Sequence, residues 1–239
     1  MATNVAVEVH VPGPKLIAPI WHTALLVGLF LVLTVVGALF QRSARAHPGG
    51  LQQHPHVAPL YLSLIVMEWA LVLYVRKGLR RSGTQLRDLI GGRWNGPKDV
   101  ARDALLGFGL WALWTASEAV WMRWLAPSHA ASIQTLLPKG VVESLQWIAL
   151  SISAGICEEV VFRGYFQQQF RALARSGLVA VALQAVLFGI SHGYQGVEAT
   201  VRIAAFGSLF GLLALWRKSL RPGMIAHAWT DIFSGLISR

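Results

Sequence analysis

The sequence predicts an all-α fold, a polytopic transmembrane helix bundle with about seven membrane helices. Of the 239 residues, 54% are hydrophobic and only 13% are charged, whereas an average domain carries about 25% charged residues. The mean hydropathy is +0.51, and several apolar stretches approach the roughly 20 residues that a helix needs to cross a hydrocarbon core. This composition excludes a secreted mini-protein, a disordered chain and an ordinary cytosolic enzyme.

Seven apolar segments follow a predicted disordered tail at residues 1–16, which lacks the features of a secretory signal. None alternates like a membrane barrel strand, and a backbone in lipid must satisfy its own polar groups, so we expect helices. The fifth and seventh segments are shorter than a usual span, which is compatible with short helices inside the bundle. The segments are 17–40, 57–75, 104–125, 141–166, 178–191, 200–216 and 224–237.

Loop charges predict the orientation of the chain. The loop 76–103, within an N-terminal helical region 17–140, holds eight cationic residues against three Asp, which predicts a cytoplasmic position. Threading seven spans from this loop places the N-terminus in the cytoplasm, and two further loops that fall inside are also basic. The cationic residues are Arg76, Lys77, Arg80, Arg81, Arg87, Arg93, Lys98 and Arg102, then Arg171 and Arg175, then Arg217, Lys218 and Arg221.

The net charge of +10 fits this topology and contact with anionic lipid, and we expect no nucleic-acid partner. The single cysteine, Cys157, excludes an intramolecular disulfide and an all-cysteine metal site.

Two adjacent glutamates, Glu158 and Glu159, lie in the apolar fourth segment. Ionisable groups at membrane depth cost roughly 2.5–3.5 kcal/mol each on insertion scales, so they require a reason. Glu159 and Arg163 are four residues apart and can pair on one helix face. Glu158 lies about 100° round the helix and is left to face another group. Three further acids, Glu68, Glu118 and Glu143, are expected to be structural, and Glu68 has no partner that the sequence identifies.

Two later segments offer groups that Glu158 can face. His192 follows Phe188 at the end of the fifth segment, and the seventh contains His227 and Asp231 at a spacing of four. A desolvated carboxylate can take a proton from water, and a histidine can orient that water or stabilise an oxyanion. The set therefore suits peptide hydrolysis. Glu158, His192 and His227 are also a known type of catalytic zinc set, and residue types alone do not separate the two mechanisms.

The motifs Glu-Glu-x-x-x-Arg at 158–163, Phe-x-x-x-His at 188–192 and His-x-x-x-Asp at 227–231 resemble those of the CPBP family. This family comprises the CAAX-protease and bacteriocin-processing membrane proteins, also called Abi or type II CAAX prenyl endopeptidases. The resemblance covers about 140–237 and implies a catalytic helical core at 141–239. The segment before it resembles nothing specific.

The resemblance implies that Glu158 and His192 activate the hydrolytic water. It implies that His227 and Asp231 stabilise the oxyanion or position the water, and that Glu159 and Arg163 support them. Many members carry Asn where this chain has Asp231, and an ionised aspartate cannot donate to an oxyanion. Either Asp231 is protonated, or it orients His227, or it contributes to a metal site, and of these roles we favour the orienting one. The family is described both as glutamate-dependent and as metalloproteases, so Zn²⁺ is a possible cofactor.

The expected function is an intramembrane endopeptidase acting on membrane-associated, prenylated or leader peptides. Because the family it resembles is abundant in bacterial inner membranes, we expect the protein to lie in such a membrane. Two alternatives compete. Residues 189–193 match Gly-x-Ser-x-Gly, which would make Ser191 a nucleophile and His227 its base, although that motif needs a strand-to-helix turn. The polar residues also suit a non-enzymatic membrane partner, an immunity protein or a small transporter.

Overall fold

The computed structural model describes residues 14–46, 57–91, 93–124 and 136–237. These residues form helices and connecting turns without a strand among them, which confirms the all-α prediction. Residues 1–13 of the predicted tail lie outside the described residues. In chain order the elements are α1 (Ile20–Ala46), α2 (Val57–Arg80), α3 (Leu86–Ile90), α4 (Pro97–Trp124), α5 (Val141–Glu158), a π segment (Glu159–Phe166), α6 (Gln167–Ala174), α7 (Gly177–Ser191), a 3₁₀ turn (Gly193–Gln195), α8 (Val197–Arg217) and α9 (Arg221–Leu236).

Each predicted apolar segment contains a helix, and four helical stretches of the described chain are long and apolar enough to cross a membrane. They are Ile20–Ser43, Val57–Arg80, Val141–Ala174 and Val197–Arg217. The helix α4 has 28 residues, but its first two turns carry charged side chains. It is not one of these four stretches. The helices α7 and α9 have 15 and 16 residues, or about 22–24 Å at 1.5 Å per residue. The bundle thus combines long spans with the shorter helices that the sequence predicts.

The helix predicted for 141–166 is present, but its second half has π geometry. The backbone changes from α to π geometry at Glu159 and returns to α at Gln167, within one continuous helical stretch, and all eight π residues are buried. In a π turn, the backbone hydrogen bond joins residue i to residue i+5 instead of i+4, and such turns are frequent at functional sites. The change turns the side chains after Glu158 to directions that an α-helix would not give.

Close helix contacts at small residues hold the second half of the bundle together. A Cβ atom on Gly189 would lie 2.5 Å from the carbonyl oxygen of Thr200, so α7 and α8 meet at backbone distance. A Cβ on Gly155 would lie 2.7 Å from the backbone nitrogen of Ala228, so α5 and α9 meet in the same way. Such close approach at small residues is the usual basis of helix association in membranes.

Several chain segments meet at one end of the bundle, which we call the basic end because the basic residues Arg80, Arg81, Arg87, Arg93, Arg102, Arg217, Lys218 and Arg221 lie there. Ser176 caps α7 at this end, its hydroxyl accepting from the Val179 N–H. The joining contacts are Gln169 Oε1 with Ile17 N (2.7 Å), Ser82 Oγ with Ile17 O (2.6 Å), Arg217 Nη2 with Asp103 Oδ1 (2.8 Å) and Leu220 N with Ile90 O (3.1 Å). The ends predicted to be cytoplasmic therefore lie together.

Candidate active site

The structure brings the intramembrane acids of three helices together near the junction of α5 with the π segment. Glu158 ends α5, Glu159 opens the π segment, and His227 and Asp231 face them from α9. The indole nitrogen of Trp147 donates to the carbonyl oxygen of Asp231 at 2.9 Å. Together with the backbone approach at Gly155, this bond fixes the position of α9 against α5.

His227 is the centre of the cluster, and both ring nitrogens face carboxylates. Nδ1 donates to Oε1 of Glu159 at 3.0 Å. Nε2 lies 3.6 Å from Oε2 of Glu158 and 3.8 Å from Oδ2 of Asp231. The imidazole is only 5% exposed, so its orientation is set by these neighbours. The hydrogen bond of His227 is made with Glu159, whereas Asp231 lies near Nε2 at 3.8 Å, so its orienting role stays a prediction.

The predicted pair of Glu159 and Arg163 is present and buried. Arg163 Nη1 lies 3.1 Å from Glu159 Oε1, and both side chains are at most 1% exposed. The guanidinium also lies over the ring of Phe188, 4.2 Å from its centroid. Gly223 at the start of α9 leaves space for this carboxylate, because a Cβ there would be 2.9 Å from Glu159 Oε2. Glu159 therefore bridges Arg163 and His227.

His192 contacts the ring of Phe188, which also borders this centre. Its ring centroid is 4.8 Å from that of Phe188, and the His227 centroid is 6.1 Å from the same ring. Nδ1 of His192 donates to the Phe188 carbonyl oxygen at 2.9 Å, which leaves Nε2 as the free nitrogen. In the described part of the chain, no hydrogen bond or ion pair joins His192 directly to Glu158.

Glu68 on α2 is a member of the cluster that the sequence reasoning did not identify. Its side chain lies within electrostatic reach of Glu158 and Asp231. The residue is 7% exposed. The signal was present in the sequence, because Glu68 is an intramembrane carboxylate without a counter-ion, as Glu158 is. It lies outside the three motifs, and the sequence does not show which way α2 turns.

The zinc set of Glu158, His192 and His227 is not formed as a cluster. No group of three or more His, Cys, Asp or Glu side chains in the described ranges has a geometry that could hold a metal ion. Of the three proposed ligands, Glu158 and His227 lie near each other, with Oε2 and Nε2 3.6 Å apart.

Ser191 is not arranged as a nucleophile for His227. Its hydroxyl donates to the Phe188 carbonyl oxygen at 2.7 Å, and its other close contact is Nδ1 of the adjacent His192 at 3.1 Å. Ser191 ends the helix α7, and the strand that a nucleophile elbow requires does not precede it. The serine-hydrolase alternative thus lacks its geometry.

Comparison with known proteins gives one family match. Residues 140–233 match the model of the family described as type II CAAX prenyl endopeptidase, Rce1-like. No curated protein and no solved structure is significantly similar to the chain. The matched segment, about two-fifths of the 239 residues, contains all three motifs and the elements from α5 to most of α9.

This match supports an integral membrane protein and, in general, an intramembrane endopeptidase of the CAAX type. Residues 140–233 are similar to the Rce1-like type II CAAX prenyl endopeptidases, which confirms the resemblance that the three motifs predict.

Proposed function

We propose that the chain hydrolyses peptide bonds of membrane-associated substrates with a water molecule activated by Glu158. One observation carries the proposal. In the described part of the chain, Glu158 is an intramembrane carboxylate without a Lys or Arg partner, because Arg163 pairs with Glu159. Its side chain is 17% exposed and lies 3.6 Å from His227. An acid that is buried but still accessible is suited to exchange protons with water.

Hydrolysis needs a base, an electrophilic contact and a proton for the leaving amine. Glu158 takes a proton from water as the water oxygen bonds to the carbonyl carbon. His227, when protonated at Nε2, donates to the oxygen that becomes negative. Glu158 then returns the proton to the amide nitrogen, the carbon–nitrogen bond breaks, and a carboxylic acid and an amine result. The free Nε2 of His192 is available to orient the water.

Glu159 and Arg163 act through His227 in this scheme. The Nδ1 hydrogen bond to Glu159 determines which imidazole nitrogen faces the reacting centre. Arg163 keeps the Glu159 carboxylate in place and balances its charge. Asp231, whose side chain is 34% exposed, marks the more open side of the cluster, where a substrate can approach Glu158.

The proposed substrates are peptides or proteins tethered in the membrane, such as prenylated C-terminal peptides or leader peptides. The proposed location is a bacterial inner membrane with the basic end in the cytoplasm, where anionic lipid would contact its arginines. The family match supports the class of reaction, and the cationic side chains at the basic end support the lipid contact.

The test is cleavage of a membrane-tethered peptide library in liposomes by the wild type and by Glu158→Gln. The wild type is expected to cleave, to retain its rate in a chelator and to retain it after Ser191→Ala. Glu158→Gln is expected to be inactive and correctly folded. The matched control is Glu118→Gln, since Glu118 is another acid of the bundle, paired with Arg202 at 3.6 Å, and should be dispensable.

Three outcomes contradict the proposal. Chelator inactivation that zinc reverses favours the metal mechanism, and loss of activity in Ser191→Ala favours the serine mechanism. If neither protein cleaves any peptide, but Glu158→Gln loses binding of a partner or transport of a solute, the polar cluster serves a non-enzymatic protein.

A further inference from the structure

The helices around the candidate site can be ordered by their direction relative to the basic end. Arg217 at the end of α8 pairs with Asp103 in the second turn of α4. A Cβ on Gly177 at the start of α7 would lie 3.1 Å from the side chain of Leu215 on α8, and α9 begins at Arg221. Positions later in α4, α7 and α9, and positions earlier in α8, therefore lie farther from the basic end.

Packed aromatic rings close the site on the side of the basic end. The ring of Phe206 contacts those of Trp114 and His227, with centroids 5.0 and 5.2 Å away. One turn nearer the basic end, Phe210 stacks on Phe206 at 3.9 Å. Phe210 and Arg163 are at most 2% exposed. This side of His227 is therefore filled by packed side chains of the described residues.

Polar side chains lie on the other side of these rings. The residues four positions farther from the basic end than Phe188, Phe206 and His227 are all polar. Positions four apart share a helix face and are about 6 Å apart along the axis. These residues are His192, Arg202 and Asp231.

The exposure of polar side chains increases in the same direction. The side chain of Glu158 is 17% exposed, whereas those of Arg202 and Asp231 are 27% and 34% exposed. His192 is half-buried. Glu158 is therefore reached from the side that faces away from the basic end.

A further polar contact lies one turn beyond Arg202 on α8. The indole nitrogen of Trp121 donates to Oε1 of Glu198 at 3.3 Å, which joins α4 to α8, and both residues are half-buried. The helix α7 has already ended at this level, and the 3₁₀ turn Gly193–Gln195 follows it. We call His192, Glu198, Arg202 and Asp231 together the polar rim.

We propose that the site opens at the polar rim and cleaves peptide segments on the side of the membrane opposite the basic end. This inference rests on the proposed function of Glu158. Because the basic end is the one predicted to be cytoplasmic, the substrates are membrane-tethered peptides exposed on the extracytoplasmic side, such as the leader peptides of exported chains. Polar groups along the approach spare the peptide backbone the cost of burying unpaired N–H and C=O groups.

The experiment blocks one end of the bundle at a time in proteoliposomes of a Cys157→Ala protein. A tethered peptide that the wild type cleaves is added to the outer leaflet only, and a bulky membrane-impermeant thiol reagent is applied from outside. With Glu198→Cys at the polar rim, the reagent should abolish cleavage, because every molecule that presents its rim to the peptide is blocked. With the control Gln85→Cys, which is exposed at the basic end, the rate should not change.

A second rim variant protects the test against a folding defect. Gln195→Cys lies in the 3₁₀ turn, where the native side chain donates to the hydroxyl of the adjacent Tyr194 at 3.1 Å, and it should respond to the reagent as Glu198→Cys does. Each rate is compared with that of the same variant without reagent, so the effect of the substitution itself cancels.

Two results would overturn the inference. One is cleavage that survives complete labelling of the accessible cysteines at both rim positions, and the other is cleavage that stops when Gln85→Cys is labelled. Glu158→Gln is measured alongside in detergent, where both ends are accessible. If it cleaves like the wild type, the proposed function fails. If it is inactive while labelling gives either contrary result, only the inference about the polar rim fails.

Discussion

Arg163 is the largest side chain that the bundle buries completely. One side of its guanidinium meets Glu159, and the other meets the aromatic rings of Phe188 and Phe210 at 4.2 and 5.5 Å. Cations over ring faces gain more when they are desolvated. Because Glu159 also accepts the hydrogen bond of His227, this structural pair and the reacting centre share one carboxylate.

Removing Arg163 should therefore cost more than removing both charges. Arg163→Leu leaves the Glu159 carboxylate without its cation, and we expect the free energy of unfolding to fall by about 3–5 kcal/mol. In the double variant Arg163→Leu with Glu159→Gln, the amide oxygen still accepts from His227, and neither former member of the pair leaves an uncompensated charge. Reversible unfolding in mixed micelles should show this variant to be the more stable of the two. A double variant less stable than Arg163→Leu contradicts this account.

The neighbouring residues Ser191 and His192 should respond in opposite ways. His192→Ala removes the free Nε2 that can orient water, and we expect a fall in turnover of at least about 10²-fold. Ser191→Ala removes a hydroxyl that only bonds within its own helix end, so turnover should stay at the wild-type level. The measurement is the steady-state rate at which each variant cleaves one tethered reporter. A larger loss of rate in Ser191→Ala than in His192→Ala would contradict the prediction.

At the scale of elements, the contact of α5 with α9 sets the distance between Glu158 and His227. A Cβ on Gly155 would lie 2.7 Å from Ala228 N and 2.8 Å from Ala228 Cβ, so Gly155→Ala must push α9 away. Since His227 precedes Ala228 directly, we expect a loss of kcat greater than the loss of thermal stability. Gly28→Ala is the matched control, because nothing lies within 4 Å of its Cβ position. Equal kcat for both variants contradicts the argument.

Helix positions could be predicted from the sequence because long apolar runs in lipid leave little choice of structure. The predicted 57–75 and 200–216 became Val57–Arg80 and Val197–Arg217, with errors at the ends, where charged residues still continue a helix. The π segment could not be predicted. Its eight residues are all buried, so they have no exposed face from which the change in period could be detected.

At the scale of the whole molecule, the basic end joins elements from both halves of the chain. Contacts such as Ser82 with Ile17 and Arg217 with Asp103 bring four separate segments to one end. Positive-inside statistics predict that this end faces the cytoplasm. The opposite end includes Gly140 and Val141 at the start of α5.

Labelling of single cysteines tests this orientation. The one native cysteine, Cys157, is fully buried and can be replaced by Ala. In spheroplasts, a membrane-impermeant thiol reagent should label Val141→Cys and should not label Gln85→Cys until the membrane is opened. Both positions are exposed, so access to the reagent depends on the side of the membrane. The reverse pattern would contradict the predicted topology.

The site was predictable only where its residues share a helix. The spacing of four residues predicted that Glu159 pairs with Arg163 and that His227 and Asp231 lie on one face, because positions four apart face the same way on a helix. Contacts between helices depend on rotations that one sequence does not show. The hydrogen bond from His227 to Glu159 therefore appeared only in the structure.

The central claim is that Glu158 activates the water that cleaves the peptide. Single-turnover cleavage of a tethered reporter in liposomes tests it most directly, with the wild type, Glu158→Gln and the control Glu118→Gln at matched folded fractions. The account predicts a rate for Glu158→Gln at least about 10²-fold below the other two, the usual scale for a general base. A rate equal to the wild type, from a protein that melts at the same temperature, would contradict it.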